Sequence, residues 1–315
     1  MDRHRSFGLS DLLVIATALL LLAAIAAPWV AMARDEARAT GCQDHMRTIA
    51  KACRGFAEVH QDSLPSNRRQ PHTGWNTLVL PFMDQAKLYD KYDLSLEWYE
   101  GGNRDVGMNA LSTLVCPAAP HADRVIRLLD PDGKEFSAKA TDYVASSGAY
   151  LHTNQPERLY RGAMASPGRH YGASNVTAGH AVRLNEITDG LANTFLVVEM
   201  ADKPNGWRAG KLHDDKSADK THRPLVDGFS FGQWIAPNWN HLRSYDNDGQ
   251  NQFGDCAVNC SNEGSLYSFH PGKAYAAMAD GSAMPIRAGL EQEVLIALVS
   301  IADGELIATE DFQAE

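Results

Sequence analysis

Two residues near the C-terminus, His270 and Asp280, are of types that together could move a proton. Asp280 precedes Gly281 between two short apolar segments, a pattern that predicts a two-residue hairpin turn. In that hairpin His270 precedes the first strand and Asp280 follows it, so their side chains need not meet. We therefore expect Asp280 to form the turn and His270 to lie at the hairpin's entry, with no catalytic residue. A hydrolase that uses His270 and Asp280 is the weakest alternative.

Three carboxylates further upstream, Asp246, Asp248 and Asp255, form the best candidate metal site in the sequence. Closely spaced oxygen ligands around a glycine, here Gly249, suit calcium. The segment nevertheless lacks the closing glutamate and the position-six glycine of an EF-hand loop. Clusters of Asp, Asn and Gly also form ordinary turns. Calcium and a plain turn both remain open here, and no other cofactor is expected.

Five cysteines, at positions 42, 53, 116, 256 and 260, are too few for a dense disulfide framework. We predict a disulfide between Cys42 and Cys116, which would connect an N-terminal helix to the rest of the protein. Cys256 and Cys260 are close enough in sequence to close a small loop together. Cys53 fits a small buried apolar residue. Zinc is disfavoured because the sequence contains no Cys-x-x-Cys pair.

The first sixty residues predict the element that must position these groups, a long helix with two kinds of surface. Residues 12–33 contain no charge and are long and apolar enough to cross a bilayer. After Arg34 the chain becomes charged, but apolar residues recur at steps of three and four, as on one helical face. These residues are Cys42, Met46, Ile49, Cys53 and Phe56. The pattern predicts a membrane span that continues into an amphipathic stalk.

This N-terminus resembles that of type IV pilins and type II secretion pseudopilins. Laid on their pattern, Phe7 is the first mature residue, and Ser6 stands where a glycine usually precedes the cleavage point. Asp11 replaces the usual glutamate, and Pro28 lies where pilins often carry a helix-kinking proline. The resemblance implies a prepilin peptidase as a partner at Ser6 and Phe7. It also implies that Asp11 pairs with the terminal amine of a neighbouring subunit.

Two other interpretations of the N-terminus remain open. Residues 31–33, Ala-Met-Ala, fit the cleavage site of an ordinary secretory signal. The apolar segment also fits an uncleaved anchor. In both the anchor and the pilin interpretation, Arg3 and Arg5 stay cytoplasmic by the positive-inside tendency. We therefore expect a single-pass protein of the inner membrane with an extracytoplasmic head.

Composition limits the function classes. The chain has 315 residues, a formal net charge of -10 and a pI of about 5.6. It contains no concentrated run of basic residues, which argues against nucleic acid as a partner. We divide the chain into a cytoplasmic leader (1–6), a membrane and stalk helix (7–62) and one β-rich head (63–315). The predicted hairpin lies near 268–287 of that head.

The head is similar to a large bacterial family of unknown function with a prepilin-type N-terminus and a C-terminal H-X9-DG signature. His270, nine residues and then Asp280-Gly281 match that signature. Further matches in the same order are Leu80–Gln85, Cys116-Pro117, Ile187–Thr194 and Ser268–Gly272. The resemblance implies a pseudopilin-like architecture and brings no established reaction.

Together these patterns predict an α+β, pilin-like fold, in which the long N-terminal helix packs on an antiparallel sheet. The function that follows is a membrane-anchored structural protein of a secretion- or pilus-type assembly, not an enzyme, with other pilin-like subunits as partners. The alternative is a tethered periplasmic or surface protein that binds a solute or glycan.

Overall fold

A computed structural model describes residues 8–66, 70–173, 175–216, 222–225, 232–237, 239–304 and 307–314. Within these residues the helices are α1 (Leu9–Val59), α2 (Trp75–Val79), α3 (Ala86–Tyr89), α4 (Asn103–Gly107), α5 (Gln292–Val299) and α6 (Thr309–Phe312). The strands are β1 (Val125–Leu129), β2 (Glu135–Lys139), β3 (Tyr143–Tyr150), β4 (Leu159–Arg161), β5 (His170–Tyr171), β6 (Val176–Thr177), β7 (Phe195–Glu199), β8 (Gly206–Arg208), β9 (Lys211–Asp214), β10 (Arg223–Pro224), β11 (Trp239–Leu242), β12 (Lys273–Met278) and β13 (Ala283–Arg287).

The N-terminal half of α1 is an exposed apolar rod. α1 is a single helix of 51 residues that continues through Pro28. Large apolar side chains from Leu9 to Met32 are exposed, as Leu20 illustrates at 70%. Among the described helices, α1 alone is long and apolar enough to cross a membrane, and its most apolar window has no buried residue. An N-terminal signal sequence has the same properties, so α1 fits either a membrane anchor or a signal sequence.

The C-terminal half of α1 belongs to the core of the head. Cys42, Met46, Ile49 and Cys53 are completely buried, and Phe56 packs at the edge of the same cluster. These residues lie on one helical face because they recur at steps of three and four. That face contacts β7, β12 and β13. The predicted amphipathic stalk is therefore built into the fold.

The buried face of α1 packs against a central sheet. Its strand order is β11-β3-β7-β12-β13, and β4 also pairs with β3. All of these pairs are antiparallel except β11 with β3, which is parallel. The predicted α+β class, with a long helix on an antiparallel sheet, is confirmed, with this one parallel pair at the edge.

Both faces of the sheet are buried. Ala145, Val197 and Ala277 are paired neighbours that belong to the core cluster shared with α1. Val144, Val198 and Ala276 are paired neighbours in the cluster shared with α5. Successive side chains of a strand point to opposite faces, so Glu199, two residues after Val197, faces α1.

The hairpin of β12 and β13 borders this contact. Its register pairs Lys273 with Arg287 and Ala277 with Ala283. Asp280 and Gly281 form the turn, in which Gly281 has a φ of 96° and the Ser282 amide donates to Asp280 Oδ1 at 2.8 Å. A positive φ is accessible to glycine at little cost, which explains the Asp-Gly pair.

Candidate metal centre

Four side chains that can bind a metal ion meet between α1 and the central sheet. Cys42 lies on α1, Cys116 follows the 3₁₀ turn Ser112–Leu114, Glu199 ends β7 and His270 lies three residues before β12. One ligand atom from each lies within 4.8 Å of the others. In the described part of the chain, no other group of three or more His, Cys, Asp or Glu side chains is gathered in this way. We refer to these residues as the four-residue cluster.

The cluster is buried and closely packed. His270 Nε2 lies 3.3 Å from Cys116 Sγ and 3.8 Å from Glu199 Oε1. All four side chains are shielded from solvent, and His270, the most exposed residue, has an exposed fraction of 3%. Glu199 Oε2 accepts a hydrogen bond from the Tyr275 amide at 3.0 Å. Glu199 Oε1 is buried and has no partner with good hydrogen-bond geometry.

Other buried groups fix the orientation of the two thiols. The Tyr143 hydroxyl lies 3.3 Å from Cys42 Sγ. The Cys116 amide donates to Asp142 Oδ2 at 2.8 Å, and Asp142 also forms a buried ion pair with Arg124. Cys116 is therefore held by its backbone and not only by packing, and its side chain is aimed at the cluster.

Burial keeps the metal-free cluster uncharged at neutral pH. Desolvation raises the pKa of Glu199 to about 8 and that of the Cys42 thiol to about 11. The pKa of Cys116 is also raised, first by its hydrogen bond with Cys42 and then by burial. Burial lowers the pKa of His270 to about 4. The close contact of His270 with Glu199 is thus a contact between neutral groups and not an ion pair.

These pKa shifts predict how the stability of the metal-free protein depends on pH. Between pH 4.5 and about 8 folded Glu199 keeps a proton that the unfolded chain loses, so its contribution falls as pH rises. Between pH 4 and 6.5 unfolded His270 holds a proton that the folded protein excludes, so its contribution rises. The two effects offset each other up to pH 6.5. From there to pH 8 the contribution of Glu199 falls by about 1.6 kcal/mol and that of His270 rises by about 0.4 kcal/mol, so we expect a net loss of about 1 kcal/mol.

Urea unfolding in the presence of a chelator, at pH 6.5 and at pH 8, measures this loss. Glu199→Gln is the matched control, because its amide does not titrate and should remove most of the difference. Equal stability of the unmodified protein at the two pH values would contradict a neutral, buried Glu199.

Comparison of the sequence with models of protein families gives a match over most of the chain. The sequence model of a family described as "Protein of unknown function (DUF1559)" matches residues 31–288, which is more than half of the chain. The chain belongs to the DUF1559 family. The DUF1559 match begins inside α1 and includes all four residues of the cluster. Comparison with curated proteins and with solved structures gives no match.

Within the DUF1559 match, the structure separates the two residues of the predicted hairpin signature. His270 is buried in the four-residue cluster, whereas Asp280 is exposed in the hairpin turn. The six residues of β12 lie between them, and at about 3.3 Å per residue this places them roughly 20 Å apart. The His270 and Asp280 dyad of the hydrolase alternative is therefore not formed.

The sequence also contains one motif that is typical of serine hydrolases. Residues 228–232, Gly-Phe-Ser-Phe-Gly, fit the Gly-x-Ser-x-Gly pattern of a nucleophilic serine. Ser230 lies outside the described residues, so this pattern has no structural context here.

The predicted calcium ligands do not come together like the residues of the cluster. Asp246 Oδ1 accepts from the Gln250 amide at 2.8 Å, and its Oδ2 accepts from the Asn251 side chain at 2.6 Å. Asp248 accepts from both the backbone and the side chain of Gln250. Asp255 is exposed. In the described part of the chain, the oxygens of the three carboxylates do not lie close enough together to form a group like the four-residue cluster. The oxygens of Asp246 and Asp248 stabilise a turn, as in Asx motifs.

The cysteines are arranged differently from the predicted pairs in one respect. Cys256 and Cys260 form a disulfide. Cys42 and Cys116 lie close together in the cluster, but both are free thiols and the predicted disulfide between them is not formed. Cys53 is a buried free thiol away from the cluster.

The N-terminal residues of the pilin-like pattern lie upstream of the DUF1559 match. Ser6 and Phe7 are outside the described residues. Asp11 Oδ2 accepts the Gly8 amide at 2.9 Å, which caps the first turn of α1. Pro28 is inside the continuous helix.

Sequence reasoning missed the cluster because its ligands are distant from one another along the chain. Glu199 carried the one available signal, since a carboxylate that ends a strongly apolar strand must be paired, protonated or bound to a metal when the strand is buried. The lack of a Cys-x-x-Cys pair carries no information about such a cluster, because each of its four residues comes from a separate segment of the chain.

Proposed function

We propose that this chain is a membrane-anchored structural subunit of a pilin-like assembly, with no catalytic activity of its own. The observation that carries the proposal is the continuity of α1. One unbroken helix has an exposed apolar half and a half that is built into the core of the head. A protein that is merely tethered needs only a flexible linker between anchor and domain. A rigid connection transmits the position of the helix to the head, which suits ordered packing of subunits.

The partners follow from the surface of α1. Its exposed apolar half would be covered by the lipid of the inner membrane and by the same segment of other subunits. Arg3 and Arg5 would stay cytoplasmic, which leaves the head outside the cytoplasm. A prepilin peptidase acting between Ser6 and Phe7 would produce the mature N-terminus, and Asp11 would then pair with that terminus on a neighbouring subunit.

Cross-linking between neighbouring helices tests the assembly. Leu20→Cys provides a reactive thiol on the exposed part of α1, while the three free cysteines of the protein are all buried. In membranes we expect this variant to form disulfide-linked dimers. Adding Asp11→Ala should abolish most of the cross-linking, because the charge that pairs with the neighbour is lost.

A second substitution separates assembly from helix capping. Asp11→Asn removes the charge but keeps an oxygen that can accept the Gly8 amide. If charge pairing drives assembly, Asp11→Asn should lose cross-linking as Asp11→Ala does, with an unchanged far-UV circular dichroism spectrum. If neither variant changes the cross-linking, the assembly proposal is wrong and α1 serves as a tether.

One observation favours the tethered binding protein as the second candidate. A cleft of about 360 Å³ opens beside α1, lined by His45, Leu111, Val115, Pro117 and Lys139 among others. Its mainly apolar wall with a few polar groups is typical of a small-molecule site. If cross-linking is unchanged in the Asp11 variants, the tethered binding protein with this cleft as its ligand site becomes the favoured function.

A further inference from the structure

We propose that the four-residue cluster binds one zinc ion, which fastens α1 to the central sheet. Two cysteine sulfurs, one imidazole nitrogen and one carboxylate oxygen are the donor types that zinc takes in proteins. Four protein ligands leave no open position for water or substrate, which is characteristic of structural zinc sites.

The distances fit a tetrahedral ion. Zinc bonds of about 2.3 Å to sulfur and about 2.0–2.2 Å to nitrogen or oxygen place a nitrogen and a sulfur ligand roughly 3.6 Å apart, and a nitrogen and an oxygen ligand roughly 3.4 Å apart. The two measured separations are 3.3 Å from His270 Nε2 to Cys116 Sγ and 3.8 Å from His270 Nε2 to Glu199 Oε1. Each differs from its tetrahedral value by no more than about 0.4 Å, which a small side-chain rotation supplies. Cys42 Sγ is within 4.8 Å of the other ligand atoms and faces the same centre.

An unsatisfied carboxylate supports a ligand at this position. Glu199 Oε1 is fully buried and has no partner with good hydrogen-bond geometry, because the nearby thiols of Cys42 and Cys116 are only weak donors. Leaving a buried polar atom unpaired is costly, and a cation at the centre of the cluster would remove that cost. A disulfide between Cys42 and Cys116 would provide no partner for Glu199 Oε1.

The surrounding groups suit the charge that zinc binding would create. Binding releases the protons of both thiols and of the Glu199 carboxyl group, so two thiolates and one carboxylate surround the doubly charged ion. The Tyr143 hydroxyl can donate to the Cys42 thiolate, and the Tyr275 amide donates to Glu199 Oε2. The cleft of about 360 Å³ is lined in part by Cys116 and so borders the cluster.

Metal analysis of the full chain tests the proposal. The protein should be purified from membranes in detergent, without chelator and with a tag that contains no histidine. Mass spectrometry of the elements is expected to find about one zinc per chain. After denaturation with a chelator, three thiols should react, because Cys42, Cys53 and Cys116 are free. A folded protein without metal, or a Cys42–Cys116 disulfide with one reactive thiol, would overturn the proposal.

Matched variants locate the ion. Cys116→Ala and Cys53→Ala remove the same atom from two buried cysteines, one inside the cluster and one outside it. Zinc should be lost from the first and retained in the second. Tyr143→Phe keeps all four ligands but removes the hydroxyl next to Cys42, and should weaken zinc binding roughly 10- to 100-fold. Zinc retained at full stoichiometry in Cys116→Ala would place the ion elsewhere and contradict the proposal.

If Cys116→Ala does not fold, the absorption spectrum of the cobalt-substituted, unaltered protein tests the proposal. Cobalt(II), exchanged for the bound metal, should give the absorption bands of a tetrahedral site together with sulfur-to-cobalt charge transfer. A cobalt spectrum without the charge-transfer band would exclude the two thiolates as ligands.

Discussion

A fragment that begins at Ser63 is expected not to fold, whereas one that begins at Arg34 should retain the head structure. The shorter fragment lacks the buried face of α1, including Met46 and Ile49, which are completely buried against the sheet. Truncating even one buried side chain of this size costs about 2–5 kcal/mol. Because typical domains are stable by only about 5–15 kcal/mol, losing the whole face should abolish cooperative folding.

Circular dichroism and thermal unfolding of the two fragments measure this difference. The Arg34 fragment should melt in one cooperative transition, and the Ser63 fragment should show none and should aggregate through the exposed face of the sheet. The full chain in detergent is the reference for the native melting temperature. Cooperative unfolding of the Ser63 fragment would contradict this prediction, because it would show that the head folds without α1.

The second large effect is expected from Arg124→Ala. Arg124 is almost fully buried and forms ion pairs with two carboxylates, Asp142 and Asp202, whose side chains have no solvent exposure. It also donates to the carbonyl oxygen of Lys203 at 2.8 Å. Removing the guanidinium leaves Asp142 buried without its cation, while Asp202 keeps the His121 imidazole beside it. Breaking a buried ion pair in this way costs about 3–5 kcal/mol.

Chemical unfolding of Arg124→Ala and of Arg208→Ala provides a paired comparison. Arg208 forms an ion pair with Glu263 at 3.0 Å, but both side chains are about one-third exposed. Water screens such a pair, so its loss should cost no more than about 1 kcal/mol. Similar losses in the two variants would argue against this account of the buried network. Because Asp142 also accepts the Cys116 amide, Arg124→Ala should loosen the four-residue cluster as well.

The elements that were predicted from sequence are those whose signal is local. The buried face of α1 follows from a step of three and four residues, and the hairpin turn follows from Asp280-Gly281. Residues 195–199, Phe-Leu-Val-Val-Glu, have the composition of a buried strand and form β7, a central strand buried on both faces. Each of these patterns is contained within a few turns of helix or a single strand, so no knowledge of distant contacts is needed.

The failures come from contacts between distant segments. Residues 113–116, Thr-Leu-Val-Cys, have a composition typical of a strand, but Ser112–Leu114 is a 3₁₀ turn. The carbonyl oxygen of Leu114 accepts hydrogen bonds from the Thr141 hydroxyl and the Asp142 amide, which hold the segment out of any sheet. The parallel pairing of β11 with β3 and the assembly of the four-residue cluster also depend on segments that are far apart in sequence. Local periodicity carries no information about such contacts.

In the membrane-anchored subunit proposed above, the unbroken course of α1 also determines where the head can lie above the bilayer. From Ala33, the last residue of the apolar segment, to Val59 the helix extends for roughly 39 Å at about 1.5 Å per residue. No hinge interrupts it, so any tilt of the span is reproduced in full by the head. A tilt of about 20°, which is ordinary for membrane helices, displaces the outer end of α1 sideways by roughly 13 Å. In the proposed membrane-anchored subunit, changes in bilayer thickness that alter this tilt would turn and shift the whole head, and with it the surface that faces a neighbouring subunit.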